Sequence, residues 1–139
     1  MDDPLAHRAL DGLLRAEAAV RRRLSADLER EGLSAAGFSF LVVLVTAGGE
    51  LELRTLRRRL HTSKANATEV IDTLERRALV ARHRLAHDRR AAAVRITERG
   101  SELVDRLFPE HASRVARAFE PLDDDEKRTL AELCRKLAA

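Results

Sequence analysis

Arg54, Arg57, Arg58 and Arg59 crowd into six consecutive positions, Lys64 follows closely, and Arg82, Arg84, Arg89 and Arg90 return further on. Such side chains give charge-assisted hydrogen bonds to phosphate or carboxylate oxygens, in arginine's case through a planar fork. The cluster is local. Between Glu52 and Arg99 thirteen bases stand against six acids, a charge of +7, within a chain whose net charge is only +3. The flanks hold the other 13 bases and 17 acids, a net of −4. A basic centre between acidic arms fits a polyanion-binding surface carried on something else; it also fits a solvated, salt-bridged arginine-rich face.

Catalytic chemistry has no comparable basis. The sequence holds neither a glycine-rich phosphate loop nor a nucleophile–base constellation, so neither an enzyme nor a cofactor is expected. The histidines at 7, 61, 83, 87 and 111 form no ligand cluster at helical spacing, so no metal is expected either. Cys134 is the only cysteine, which excludes an intrachain disulfide and a cysteine-rich zinc framework. Its place beside the apolar stripe of the last helix suits a buried packing role in an interface between two copies of the chain rather than a thiol sensor.

The elements that must position these residues read mostly as helices. The chain has 139 residues, the size of one domain, with only nine Gly and Pro together. Four Phe and no Trp or Tyr leave little for stacking unpaired bases. The Met-Asp-Asp-Pro start lacks a signal-peptide pattern, and the apolar run Phe38 to Val45 is too short to span a bilayer. A soluble, cytoplasmic chain with no membrane partner is expected.

Asp3-Pro4 reads as a helix start, and Leu10, Leu13, Val20, Leu24 and Leu28 keep helical spacing to about Glu31 before Gly32. Glu17 falls on that stripe, where it either reaches solvent or an arginine across an interface, or belongs to a ligand pocket. Ser34 can cap a second, largely buried helix holding Phe38, Leu41, Val42, Leu44 and Val45, ended by Gly48-Gly49. Leu51 and Leu53 alternate with Glu52 as a short strand, and Thr55 to Leu60 makes a short arginine-rich helix.

Ser63 then caps a helix with Ala67, Val70, Ile71 and Leu74 on one face. Ala65, Glu69, Asp72, Thr73 and Arg76 lie opposite, with Asn66 and Thr68 at the shoulders. A short helix, a tight connection and a helix with a small polar outer face make a helix-turn-helix. Val80 to Leu85 and Ala93 to Ile96 alternate as strands around Ala86-His87-Asp88-Arg89-Arg90, a basic hairpin, hence a wing. Thr97 caps a long helix in which Pro109 predicts a kink or restart. Asp123-Asp124-Asp125-Glu126 opens the last helix, whose Leu130, Leu133 and Leu137 share a face.

The run Leu74-Glu75-Arg76-Arg77-Ala78-Leu79-Val80, then Asp88-Arg89-Arg90, then Ile96-Thr97-Glu98-Arg99-Gly100 resembles the signature of the MarR family of bacterial winged-helix regulators. Leu107-Phe108-Pro109-Glu110-His111 and Leu122 through Leu137 are similar to the family's C-terminal pattern. The resemblance implies a mainly α fold with a small β-hairpin wing, a single domain over 1–139. Residues 33–100 would form the winged helix-turn-helix, and 3–31 with 101–139 a helical dimerisation part. It implies an obligate homodimer with Leu10, Leu13, Leu130, Leu133 and Leu137 in the interface, and a regulator of double-stranded DNA, more often repressor than activator. It also implies a small-molecule effector, whose pocket Phe38, Phe40 and first-helix arginines could line, although core packing explains the two Phe equally well.

On this reading Ser63, Lys64, Ala65, Asn66 and Thr68 contact bases and phosphates, Arg54, Arg57 and Arg84 clamp phosphates, and Arg89 and Arg90 are wing contacts. Asp88 braces the wing and Arg90 enters the minor groove. Three positions depart from the family: Ala78 and His61 stand where Gly is usual or common, and acidic Glu69 where a base is frequent. A left-handed Ala78 would cost about 1 kcal/mol or more. Glu69 either accepts a hydrogen bond from a cytosine amino group or pairs with Arg76 or Lys64. Glu69 and Asp72 together support the alternative, a winged-helix protein-interaction module without specific DNA binding.

Overall fold

Hydroxyl and carboxylate side chains set where the helices begin. In this computed structural model, which describes residues 1–139 apart from the side chain of Arg89, Asp3 Oδ1 accepts from the backbone N–H of Leu5 and Ala6 at 3.1 and 3.0 Å. Ser34 and Ser63 do the same for Gly37 and Asn66, at 3.0 and 3.1 Å. Asp123 and Glu126 exchange both bonds of a capping box. The element order is α1 (Pro4–Arg30), α2 (Ala35–Thr46), β1 (Glu50–Glu52), α3 (Leu53–Arg59), α4 (Lys64–Arg76), β2 (Val80–Leu85), β3 (Asp88–Ile96), α5 (Glu98–Ala118) and α6 (Asp124–Ala138). This is the expected mainly α fold with a small hairpin wing.

The chain divides into two compact units, Ser25–Pro109 and the pair Met1–Leu24 with Glu110–Ala139. In the first, the apolar faces of α2 and α4 supply Leu41, Leu44, Ala67 and Ile71, all fully buried. Leu56 of α3 and Val94 of β3 close the same core. Phe38 and Phe40 are each only 2% exposed and belong to this core. The three strands run in the order β1-β3-β2, antiparallel throughout, with Leu51 opposite Val94 and His83 opposite Ala93.

Two local expectations need correction. Helix α3 starts at Leu53 rather than Thr55, because Glu52 turns the chain by its extended backbone, without a side-chain cap. The wing reverses at Ala86-His87, and Asp88 already pairs with Leu85, so Asp88-Arg89-Arg90 opens strand β3 instead of forming a loop. Of the kink or restart expected at Pro109, the restart does not occur, since helix α5 continues through it.

The connection from α4 into the sheet is tight. Ala78 does adopt a left-handed φ of 59°, as does His61 at 49° before α4. Thr97 Oγ1 donates to the Ala78 carbonyl at 2.6 Å and accepts from Gly100 N–H at 3.1 Å, capping α5 against that turn. Gly100 has no alternative there: a Cβ on it would lie 2.3 Å from the Leu79 carbonyl oxygen. Bidentate bonds from Arg106 to Glu31, at 2.7 and 3.2 Å, tie α5 to the chain just after α1.

In the second unit Leu10, Leu13, Leu130, Leu133 and Leu137 are all exposed, by 37 to 72%. Cys134 is likewise exposed in the single chain, and with Val115, Phe119 and Leu130 it lines an apolar groove of about 490 Å³ between α5 and α6. Glu17 pairs with Arg21 of its own helix, four residues on, at 2.5 Å. No helix among the described residues is long and apolar enough to cross a membrane.

Candidate nucleic-acid interface

Burial of Ala67, Ile71 and Leu74 turns the opposite side of α4 outward. Lys64, Ala65, Asn66 and Glu69 stand exposed along it, beginning at the helix N-terminus, where free N–H groups and the helix dipole favour an anion. Ser63 is spent on the cap, and Thr68 is half-buried with its hydroxyl bonded to the Lys64 carbonyl at 2.9 Å. Asn66 Nδ2 donates to Thr62 Oγ1 at 2.6 Å, which fixes the amide relative to the helix.

The three acids of this helix have different fates. Arg82 of β2 places Nη2 2.6 Å from Asp72 Oδ1 and 3.0 Å from Glu75 Oε1, and its backbone N–H bonds Glu75 Oε2 at 3.0 Å. Bonding from the Arg82 backbone, then from its guanidinium, holds the Glu75 carboxyl below the ordinary range against a smaller opposing effect of burial. For Arg82, by contrast, burial is the largest single influence, but Glu75 and Asp72 together outweigh it and push that guanidinium up. Asp72 thus shares one guanidinium with Glu75 and is held toward the wing. Glu69 pairs with neither Lys64 nor Arg76; Arg76 Nη2 bonds Thr73 Oγ1 at 3.2 Å instead.

Around α4 the basic residues fall on three elements. Arg84 and Arg90 are exposed on β2 and β3, while the side chain of Arg89 lies outside the described residues. Asp88 Oδ1 accepts from the Arg90 backbone N–H at 2.9 Å, bracing the turn through the main chain. Arg54, Arg57 and Arg58 of α3, with His61 and Thr62, line a shallow groove of about 340 Å³. Arg57 Nε is buried there without a partner among the described residues.

Two positioning residues escaped the sequence reading. Arg82 was legible as basic but not as the tie between wing and α4. Its signal was the pair Asp72 and Glu75, three apart, ahead of the first outward-facing residue of β2. Arg77 Nη1 donates to the Gly32 carbonyl at 3.0 Å, fastening the end of α4 to the α1–α2 turn.

The model of the MarR family matches residues 31–91. The Bacillus subtilis HTH-type transcriptional regulator YkoM, itself uncharacterised, is 36% identical over 110 residues, which cover 79% of this chain and 71% of YkoM. The chain belongs to the MarR family. It is a MarR-family transcriptional regulator and not an enzyme. Its fold is shared with the MarR regulator Sco3205 of Streptomyces coelicolor, solved in complex with DNA, at a TM-score of 0.90, 21% identity, and coverage of 99% of this chain and 88% of that one. PcaV of the same organism, solved with its natural ligand, superposes at a TM-score of 0.81 with 26% identity over 99% and 96% of the two chains. The MarR match over 31–91 takes in α2 through the wing tip, including Arg82 and its two acids.

Proposed function

We propose that this MarR regulator binds double-stranded DNA sequence-specifically as a homodimer on a pseudo-palindromic operator, acting as a repressor released by a small-molecule effector. The observation that carries the reading is the pairing of Asp72 and Glu75 with Arg82, which offsets one of their two charges and holds both carboxylates toward β2, while α4 presents Lys64, Ala65 and Asn66 beside a basic wing. Ser63, Lys64, Ala65, Asn66 and Thr68 form the base and phosphate contacts of the N-terminal half of α4, with the Thr68 hydroxyl already engaged. Arg54, Arg57 and Arg84 clamp phosphates, Arg89 and Arg90 serve the wing, and Asp88 holds its turn.

The exposed leucines at 10, 13, 130, 133 and 137 support a second copy as partner, since such patches on a soluble monomer mark interaction sites. A two-fold dimer presents two α4 helices to successive major grooves, about one helical turn apart. PcaV's natural ligand supports an effector. Such a ligand acts only by differing in affinity for the DNA-competent and incompetent arrangements. DNA as the partner puts the protein in the cytoplasm. The interaction-module alternative loses Asp72, now held by Arg82, and keeps only Glu69.

Selection of the purified protein against random duplexes tests the reading. A recovered motif with two inverted half-sites, centred roughly 10 base pairs or a multiple apart, is the expected result. Recovery of no motif would favour the interaction module.

A further inference from the structure

Resting on the DNA-binding reading, we infer that Glu69 selects a cytosine in each half-site by accepting a hydrogen bond from its exocyclic amino group. Helix α4 carries three acids, and Arg82 accounts for two of them. Glu69 alone is exposed and makes no ion pair among the described residues, although Lys64 and Arg76 share its helix. Ala65, one turn towards the N-terminus, has no polar side-chain atom, and the Asn66 amide nitrogen is engaged by Thr62. On this line of the helix Glu69 is therefore the charged acceptor that meets whatever α4 approaches.

A carboxylate carried into a groove walled by phosphates is unfavourable unless a donor meets it. Guanine and thymine present only acceptors and a methyl group on their major-groove edges. Adenine offers its amino group beside N7, an acceptor that repels the second carboxylate oxygen. Cytosine offers the amino group with no acceptor of its own next to it, which is the match a carboxylate requires. Glu69 then acts by penalising every other base, so it sharpens sequence choice and lowers affinity for unrelated DNA.

The test compares motifs selected from random duplexes by the wild type and by Glu69→Ala, a change that an exposed mid-helix position tolerates well. A cytosine at one position per half-site in the wild type is expected to become unspecified in the variant, with the other positions kept. Replacing that cytosine by 2-pyrimidinone, which lacks the amino group, should weaken the wild type roughly tenfold and change the variant's affinity little. An identical motif from both proteins, or equal sensitivity to the analogue, overturns the inference while leaving DNA binding standing. A wild type that selects no motif overturns both, and that failure is visible before the variant is examined.

Discussion

Arg82 on β2 lies 2.6 Å from Asp72 on α4, and the same guanidinium reaches Glu75 one turn further along the helix at 3.0 Å. The contacts join the wing to α4 and at the same time offset one of the two negative charges on the side of the molecule proposed to meet phosphates. Position and electrostatics are set by one residue.

Arg82→Ala should therefore weaken DNA binding by more than the loss of one phosphate contact would. Two carboxylates become unpaired, and the wing loses its tie. A fall in affinity of about tenfold or more at moderate salt is expected, together with a stability loss of about 1–2 kcal/mol for partly exposed charge-assisted bonds. Anisotropy titrations and urea unfolding read the two effects separately. Unchanged affinity would show that Asp72 and Glu75 do not face the DNA.

The same contacts predict an acid limb in stability. Glu75 is held below its usual pKa first by the Arg82 backbone N–H and then by its guanidinium, and Glu31 likewise by the Arg106 side chain. A depressed folded-state pKa contributes stability above the unfolded value and loses it as pH falls through the folded one. Urea midpoints should be flat near neutrality and decline below about pH 4. Glu75→Gln should lower the neutral plateau and make the decline shallower.

Ala78 holds φ at 59° where glycine would be unstrained. Relief of roughly 1–2 kcal/mol from the left-handed conformation is offset by the greater freedom of glycine in the unfolded chain, about 0.4–1 kcal/mol. Ala78→Gly should therefore raise stability by about 0.5–1 kcal/mol. The exposed methyl leaves no cavity, and the Thr97 bond goes to the backbone carbonyl, so nothing else is lost. Chemical denaturation of the two proteins is the check.

Gly100 should be intolerant for the opposite reason. A methyl there meets the Leu79 carbonyl oxygen at 2.3 Å and Ile96 Cγ1 at 2.7 Å, and the backbone contact cannot swing aside. Gly100→Ala should destabilise by about 1–3 kcal/mol or more, as overpacking does. Because α5 must then shift from the end of β2, amide exchange in β2 and β3 should rise with it. A variant as stable as the wild type would mean that the turn at Ala78-Leu79 has slack.

What could be read from residue order was what depends on near neighbours. Ser63 as a cap and the stripe Ala67, Ile71, Leu74 follow from helical spacing, and both stand in the structure. The start of α3 was misplaced because Glu52 contributes no side-chain cap to mark it. The wing tip was drawn too wide because Ala86-His87 lacks the Gly, Asn or Asp that usually signals a two-residue turn. Asp72 looked like an outward acid because its partner Arg82 belongs to another element, and helical periodicity carries no information on such pairings. Burial of Cys134 depends on a second copy of the chain, because its apolar stripe has no cover within one chain.

The most direct measurement is fluorescence anisotropy of the protein on the duplex recovered by random selection, against a scrambled duplex, across a salt series. Specific affinity exceeding scrambled by about a thousandfold, with a steep fall as salt rises, is expected of two basic winged surfaces on one operator. Arg90→Ala should weaken binding and reduce the salt slope by about 1 for each half-site. Equal affinity for the two duplexes at every salt concentration would contradict sequence-specific binding by α4 and its wing.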